Sequence, residues 1–264
     1  MTRYDAMFAR LREAREGAFG AFVMLGDPDL ETSGAVLDAL VEGGADMLEV
    51  GIPFSDPVAD GPVIQAAAER ALAAGVTPAD CFRLLAEFRT RHPKVPVGIL
   101  TYANIVVARG RGHFYRAAAE AGVDSVLVAD VPFFEAAPFA DEARAHGVDP
   151  VLIAAQNTPS GTLASIAALG GGYTYCVARA GVTGGQEATF NHNALVEDLQ
   201  RNDAPPAVLG FGISRPDHVR AALQSGAAGV ISGSAIVRLV AENGGEWKAP
   251  LTAFLRDMKA ATRR

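Results

Sequence analysis

The chain has 264 residues, 50% of them hydrophobic and 20% charged, with a formal net charge of −7 and a pI near 5.3. This composition suits a globular protein with a large core and argues against disorder. The acidic balance, without any long run of Lys or Arg, offers no attraction for a phosphodiester backbone, so nucleic acid is a poor partner. Two cysteines, Cys81 and Cys176, do not make a disulfide framework, and five scattered histidines lack metal-binding spacing, so no metal site is expected.

The N-terminal stretch from Met1 to Gly17 is amphipathic and of mixed charge, without the apolar core of a signal peptide. No run of about 18 apolar residues follows, so the expected location is the cytoplasm and no membrane contact is expected. After a helical segment, short apolar runs recur along the chain. They are Ala21 to Leu25, Met47 to Ile52, Val97 to Thr101, Ser125 to Ala129, Pro150 to Ala154, Tyr173 to Ala178, Ala207 to Phe211 and Gly229 to Ser232. Few polar residues interrupt them, as expected of strands buried on both faces of a parallel sheet.

Helical periodicity fills the intervals, as in Glu31 to Glu42, Pro78 to Arg91 and Phe133 to His146, with start signals at Thr77-Pro78 and Ser214-Arg215-Pro216. Further helical segments are expected before the first strand, within Pro62 to Pro93 and around Ala235 to Asn243. Eight strands alternating with helices predict an α/β fold of the (β/α)8 TIM-barrel class with additional short helices, one domain over residues 1–264. An open doubly wound sheet uses the same alternation and is the competing architecture.

In such a barrel, functional groups gather where strands end and loops begin. Glu49 lies inside an apolar strand run, where an ionised carboxylate is costly to bury and its pKa is open to being raised. That suits a general acid/base, although a structural Glu paired with a buried Arg would read the same way. Asp56 and Asp60 stand in the proline-stiffened loop that follows, where an Asp commonly serves only to form the turn. Glycine-rich strand ends recur at Leu209 to Ser214 and Ile231 to Ala235, matching the barrel phosphate site built from backbone N–H groups and a helix start. Gly210-Phe211-Gly212 is no dinucleotide fingerprint, because Arg215 stands where a glycine is needed. A further glycine-rich loop, Arg179 to Gly185, has the composition of a segment that closes over a ligand or of a plain connection.

These stretches, taken together, resemble the tryptophan synthase alpha chain family almost from end to end. The resemblance is carried by Arg3-Tyr4, Glu16 to Phe19, Leu25 to Pro28, Leu48 to Pro62, Thr101 to Asn104, Gly122 to Ser125, Ala129 to Pro132, Arg179 to Gly184, Gly210 to Ile213 and Ser232 to Ala235. It implies a lyase that splits indole-3-glycerol phosphate into indole and glyceraldehyde 3-phosphate. Glu49 would be the general acid/base and Asp60 the contact to the indole N–H. Tyr175 is similar to a family tyrosine near Glu49, and Thr183 would help a loop close over both acids.

By the same resemblance, Gly184, Gly212, Gly233 and Ser234 would surround the phosphate, through backbone N–H groups and the Ser234 hydroxyl. Phe22, Leu100, Leu127 and Phe211 would wall the indole pocket, or belong simply to the barrel core. The resemblance also implies no cofactor in this chain and a PLP-dependent beta chain as partner in an αββα assembly, with Pro53 to Pro57 as a candidate contact. The chain departs from the family pattern at Ile153 to Pro159, at the alanines flanking Arg179 and at Gly185 to Phe190. The rival readings are a lyase active without a beta chain, a catalytically weak subunit that activates a beta chain, and a barrel isomerase acting on a phosphorylated sugar.

Overall fold

The computed structural model describes residues 1–177 and 193–263. Among the described residues, nine strands form one sheet: β1 (Ala18–Met24), β2 (Met47–Gly51), β3 (Val97–Thr101), β4 (Ser125–Val128), β5 (Asp149–Pro150), β6 (Leu152–Ala155), β7 (Thr174–Val177), β8 (Ala207–Leu209) and β9 (Gly229–Ser232). Their order is β5-β4-β3-β2-β1-β9-β8-β7-β6, and every paired neighbour runs parallel. The two ends of this order, β5 and β6, are consecutive in the chain and joined through Val151, whose N–H donates to the Val126 carbonyl at 3.0 Å. The sheet therefore curls into a nearly closed barrel, the eight-stranded plan expected, with its fifth strand interrupted once. Pro150 supplies the reason for the interruption, since it has no N–H to give to the ladder.

Differences in strand boundaries have local causes. β1 starts at Ala18, ahead of the expected Ala21, because Ala18 pairs in register with Gly229. A Cβ on Gly229 would lie 2.7 Å from both the Cβ and the carbonyl oxygen of Ala18, so glycine is what permits this approach. β8 ends at Leu209, short of the expected Phe211, as the chain turns at Gly210. Ala178, expected to end the sixth run, lies outside the described residues.

The helices form the outer layer. α2 (Leu30–Glu42) follows an Asp29 cap. α4 (Pro78–Arg91) has the bounds that its start signals predict, with Thr77 and Asp80 in a reciprocal capping box. The helix expected from Phe133 to His146 is instead a 3₁₀ turn, Phe133–Glu135, followed by α7 (Ala137–Ala145) with Pro138 in its first turn. Proline disfavours helical backbone at the residue before it and lacks an N–H, so a helix starts there more readily than it continues through. The additional helices are α1 (Arg3–Glu13), α3 (Pro62–Ala73), α5 (Ala103–Val107), α6 (Arg111–Glu120), α8 (Ser160–Leu169), α9 (Asn193–Arg201), α10 (Pro216–Gln224), α11 (Ser234–Glu242) and α12 (Lys248–Ala260).

α1 crosses the N-terminal end of the barrel: Arg3 pairs with Asp124 just ahead of β4, and Arg10 with Asp46 just ahead of β2. Tyr4, Met7, Phe8 and Leu11 face inward from α1 and are buried. With that end covered and all strands parallel, the strand C-termini meet at the opposite mouth. Among the described residues no helix is long and apolar enough to cross a membrane.

Candidate active site

Glu49 occupies the middle of β2, in register with Phe22 on β1 and Gly98 on β3, and is 1% exposed. Its carboxylate accepts a 2.6 Å hydrogen bond from the Tyr173 hydroxyl. Burial is the main cause pushing this carboxyl up to about 7; the Tyr173 hydrogen bond opposes the rise and the charge of Asp60 adds to it. A group at that position on the pH scale is populated in both protonation states near neutrality, as a group that both gives and takes a proton requires.

Asp60 lies in the loop between β2 and α3 and is also buried. Tyr102, at the C-terminal end of β3, donates its hydroxyl to Asp60 Oδ2 at 2.9 Å and accepts the Ala59 N–H at 3.3 Å. Phe54 stacks on the Tyr102 ring with centroids 5.3 Å apart, and the Gln65 amide holds the Asp60 carbonyl at 2.7 Å. The loop is thus fixed from three sides. Burial raises the Asp60 carboxyl above its ordinary range, and the Tyr102 hydrogen bond opposes that rise.

Both acids line one cavity of about 260 Å³ at the C-terminal mouth. Of the residues singled out in the sequence, Phe22, Leu100, Tyr175, Phe211, Gly212, Gly233 and Ser234 line it with them. Leu127 does not. It is buried on β4, in register with Leu100, and contributes to the core instead. Thr183 and Gly184 lie outside the described residues, as does the whole stretch from Arg179 to Phe190.

The two glycine-rich strand ends are tied to each other: the Ser232 hydroxyl donates to the Ile213 carbonyl at 2.6 Å. Gly212 adopts φ +73°, a left-handed conformation that favours glycine, and its carbonyl is 2.8 Å from His218 Nδ1. Gly233 is the cap residue of α11 and Ser234 its first residue, so the first-turn amides, which a helix leaves without internal acceptors, stand beside this cavity. At Gly210 a Cβ would fall 2.0 Å from the Tyr175 ring, while the Tyr175 hydroxyl donates to the Gly210 carbonyl at 3.2 Å.

Tyr102 and Tyr173, the donors that hold the two acids, were not identified as site residues from the sequence. Tyr173 had a readable signal, since it precedes Tyr175 by two positions and so points to the same side of the strand. Tyr102 had a weaker one, its place at a strand C-terminus. Ile64 and Arg238 also line the cavity without a prior sign in the sequence. Among the described residues, no group of three or more His, Cys, Asp or Glu is arranged to hold a metal ion.

A parallel α/β barrel with two buried carboxyls that have no cationic partner among the described residues, and with paired glycine loops at its C-terminal mouth, defines a class of barrel proteins suited to proton-transfer chemistry on small ligands. Comparison with known proteins narrows that class. The family model described as tryptophan synthase alpha chain matches residues 8–263. The chain is 54% identical to a tryptophan synthase alpha chain of Escherichia coli and 53% identical to one of Yersinia pseudotuberculosis, each match covering 100% of both proteins. Among solved structures, it is similar to Mycobacterium tuberculosis tryptophan synthase, with TM-score 0.90 and 29% identity over 100% of this chain and 99% of that one. It is also similar to a chain of the Pyrococcus furiosus tryptophan synthase a2b2 complex, with TM-score 0.84 and 35% identity over 92% of this chain and 98% of that one. The chain belongs to the tryptophan synthase alpha chain family.

Proposed function

We propose that this chain, as one barrel domain over residues 1–264, is the alpha subunit of a tryptophan synthase and cleaves indole-3-glycerol phosphate into indole and glyceraldehyde 3-phosphate. The observation that carries this reading is the shared cavity: Glu49 and Asp60 open onto the same space as Gly212, Gly233 and Ser234, between apolar walls from Phe22, Leu100 and Phe211. A flat ring at the acid end and a phosphate at the glycine end match that division.

The chemistry is a retro-aldol step. Protonated Glu49 delivers its proton to indole C3, which turns the ring into an electron sink. Positive charge then develops at the ring nitrogen, where the Asp60 carboxylate accepts the indole N–H and stabilises it. Ionised Glu49 takes the proton from the hydroxyl on the carbon attached to C3. The bond between that carbon and C3 breaks, its electron pair neutralises the ring, and the hydroxyl carbon becomes the aldehyde of glyceraldehyde 3-phosphate. Glu49 ends as it began, protonated. Its position near 7 is what lets one carboxyl serve both transfers.

The chain itself would need no cofactor; PLP would belong to a tryptophan synthase beta chain, the partner in an αββα assembly that receives the indole. Within Pro53 to Pro57, Pro53 is buried while Ser55 and Asp56 are exposed, and with Val58 at 69% exposure they offer a stiff surface beside the mouth for that contact. The test is an assay for indole release from indole-3-glycerol phosphate by the purified chain combined with a beta chain. Glu49→Gln is expected to lower kcat by about a thousandfold or more while the protein stays folded. No indole from the unchanged chain would overturn the reaction assigned to it.

A further inference from the structure

A substrate that carries a phosphomonoester sets this cavity a charge problem. The chain carries a net −7, and the acidic side chains lining the cavity are Glu49 and Asp60. A phosphomonoester adds roughly two further negative charges near neutral pH. Amides and one hydroxyl supply hydrogen bonds, but no full positive charge. Among the described residues that line the cavity, one is cationic, Arg238.

Arg238 lies on α11, four positions beyond Ser234. That spacing puts both on one helix face, separated by about 6 Å along the axis. Side chains on a helix lean toward its N-terminus, so a long stem at position 238 carries its guanidinium back toward the first turn, where Gly233 and Ser234 stand. Ile236, Val237 and Val240 commit the other side of the helix to the core. Arg238 is exposed, and among the described residues it makes no hydrogen bond or ion pair. Arg215, the residue after the lining Ser214, is by contrast paired with Asp217.

We infer that Arg238 is the phosphate-binding cation of this site, adding a charge-assisted contact to the glycine amides and the Ser234 hydroxyl. The assignment rests on the phosphorylated-substrate reading above and extends it to a residue that selects the phosphorylated form. The phosphate is remote from the bond that breaks and is bound alike in ground and transition states, so Arg238 acts on KM rather than kcat. A lysine retains the charge but not the planar fork.

The test uses the full chain and glycerol 3-phosphate as probe, titrated calorimetrically, with glycerol as the uncharged control. Arg238→Gln is expected to weaken glycerol 3-phosphate about tenfold, and to raise KM for indole-3-glycerol phosphate similarly with kcat within about twofold. Arg238→Lys should recover most of the loss, and the salt dependence of binding should flatten in Arg238→Gln alone. Unchanged affinity in Arg238→Gln, no measurable affinity of the parent chain for glycerol 3-phosphate, or a fall in kcat at constant KM would each overturn the assignment. If the parent chain binds the ester but releases no indole, the reaction falls, and a tenfold loss on Arg238→Gln still upholds the cation.

Discussion

The two ends of the barrel bury carboxylates in opposite company. At the N-terminal end, Asp46 receives Arg10 at 2.9 Å and Lys259 at 2.7 Å, and Asp124 receives Arg3 at 2.8 Å and Arg89 at 2.7 Å. Each also accepts a backbone N–H, from Phe19 and Val97 respectively, at the foot of a strand. At the C-terminal end, Glu49 and Asp60 are just as buried, but among the described residues their carboxylates accept from the phenols Tyr173 and Tyr102 rather than from cations. A phenol satisfies a carboxylate's lone pair without compensating its charge. The first arrangement fastens helices and strands together, and the second leaves carboxyls raised above their ordinary range by burial, Glu49 to about 7.

The comparison breaks most visibly at the reaction itself, where Glu49→Gln removes the proposed proton carrier and is expected to cost about three orders of magnitude or more in indole release. Next comes the fastening end. Asp124→Ala leaves Arg89 without its carboxylate partner and Val97 N–H without that acceptor, and should destabilise the protein by roughly 3 kcal/mol. The remaining folded protein should keep its kcat, as urea denaturation and steady-state assays would show together.

An effect of about the same size runs in the reverse direction at the mouth. Glu49 binds its proton more tightly when folded, about 7 against an ordinary 4.5, so it costs no stability below 4.5, progressively more as pH rises to 7, and the full amount above that. Glu49→Gln should therefore be more stable than the parent by up to about 3 kcal/mol at alkaline pH, with the gain fading under acid conditions. Urea unfolding as a function of pH reads this directly, and a pH-independent difference would contradict it. The smallest effect is expected from Tyr173→Phe. Loss of the hydroxyl that favours ionised Glu49 should move the Glu49 limb of the rate profile upward by about one pH unit, with the maximal rate reduced less than tenfold.

Much of this was legible locally. α4 could be read to its boundaries because Thr77, Pro78 and Asp80 carry a start signal within four residues, and β3 and β9 because uninterrupted apolar runs mark strands wet on neither face. Glu49 stood out as a charge inside such a run. The break at Val151 and the restart of α7 at Ala137 were harder, since Pro150 and Pro138 act on hydrogen-bond ladders whose partners are distant or whose registers are not visible in the chain. Tyr102 and Tyr173 were missed for the same kind of reason. A tyrosine in an apolar stretch looks like core until the fold brings its hydroxyl to an acid 42 or 124 residues away. Leu127 shows the converse: its position on a strand end suited a pocket wall, yet it packs into the core beside Leu100.

A carbon-13 or infrared titration of the Glu49 carboxyl, taken as the difference between the parent chain and Glu49→Gln, asks directly whether this buried acid is poised for proton exchange. The midpoint should fall near 7. A carboxyl that titrates near its ordinary 4.5 would mean that Glu49 is a fixed anion in the resting protein, and the division between a fastening end and a proton-exchanging end would not stand.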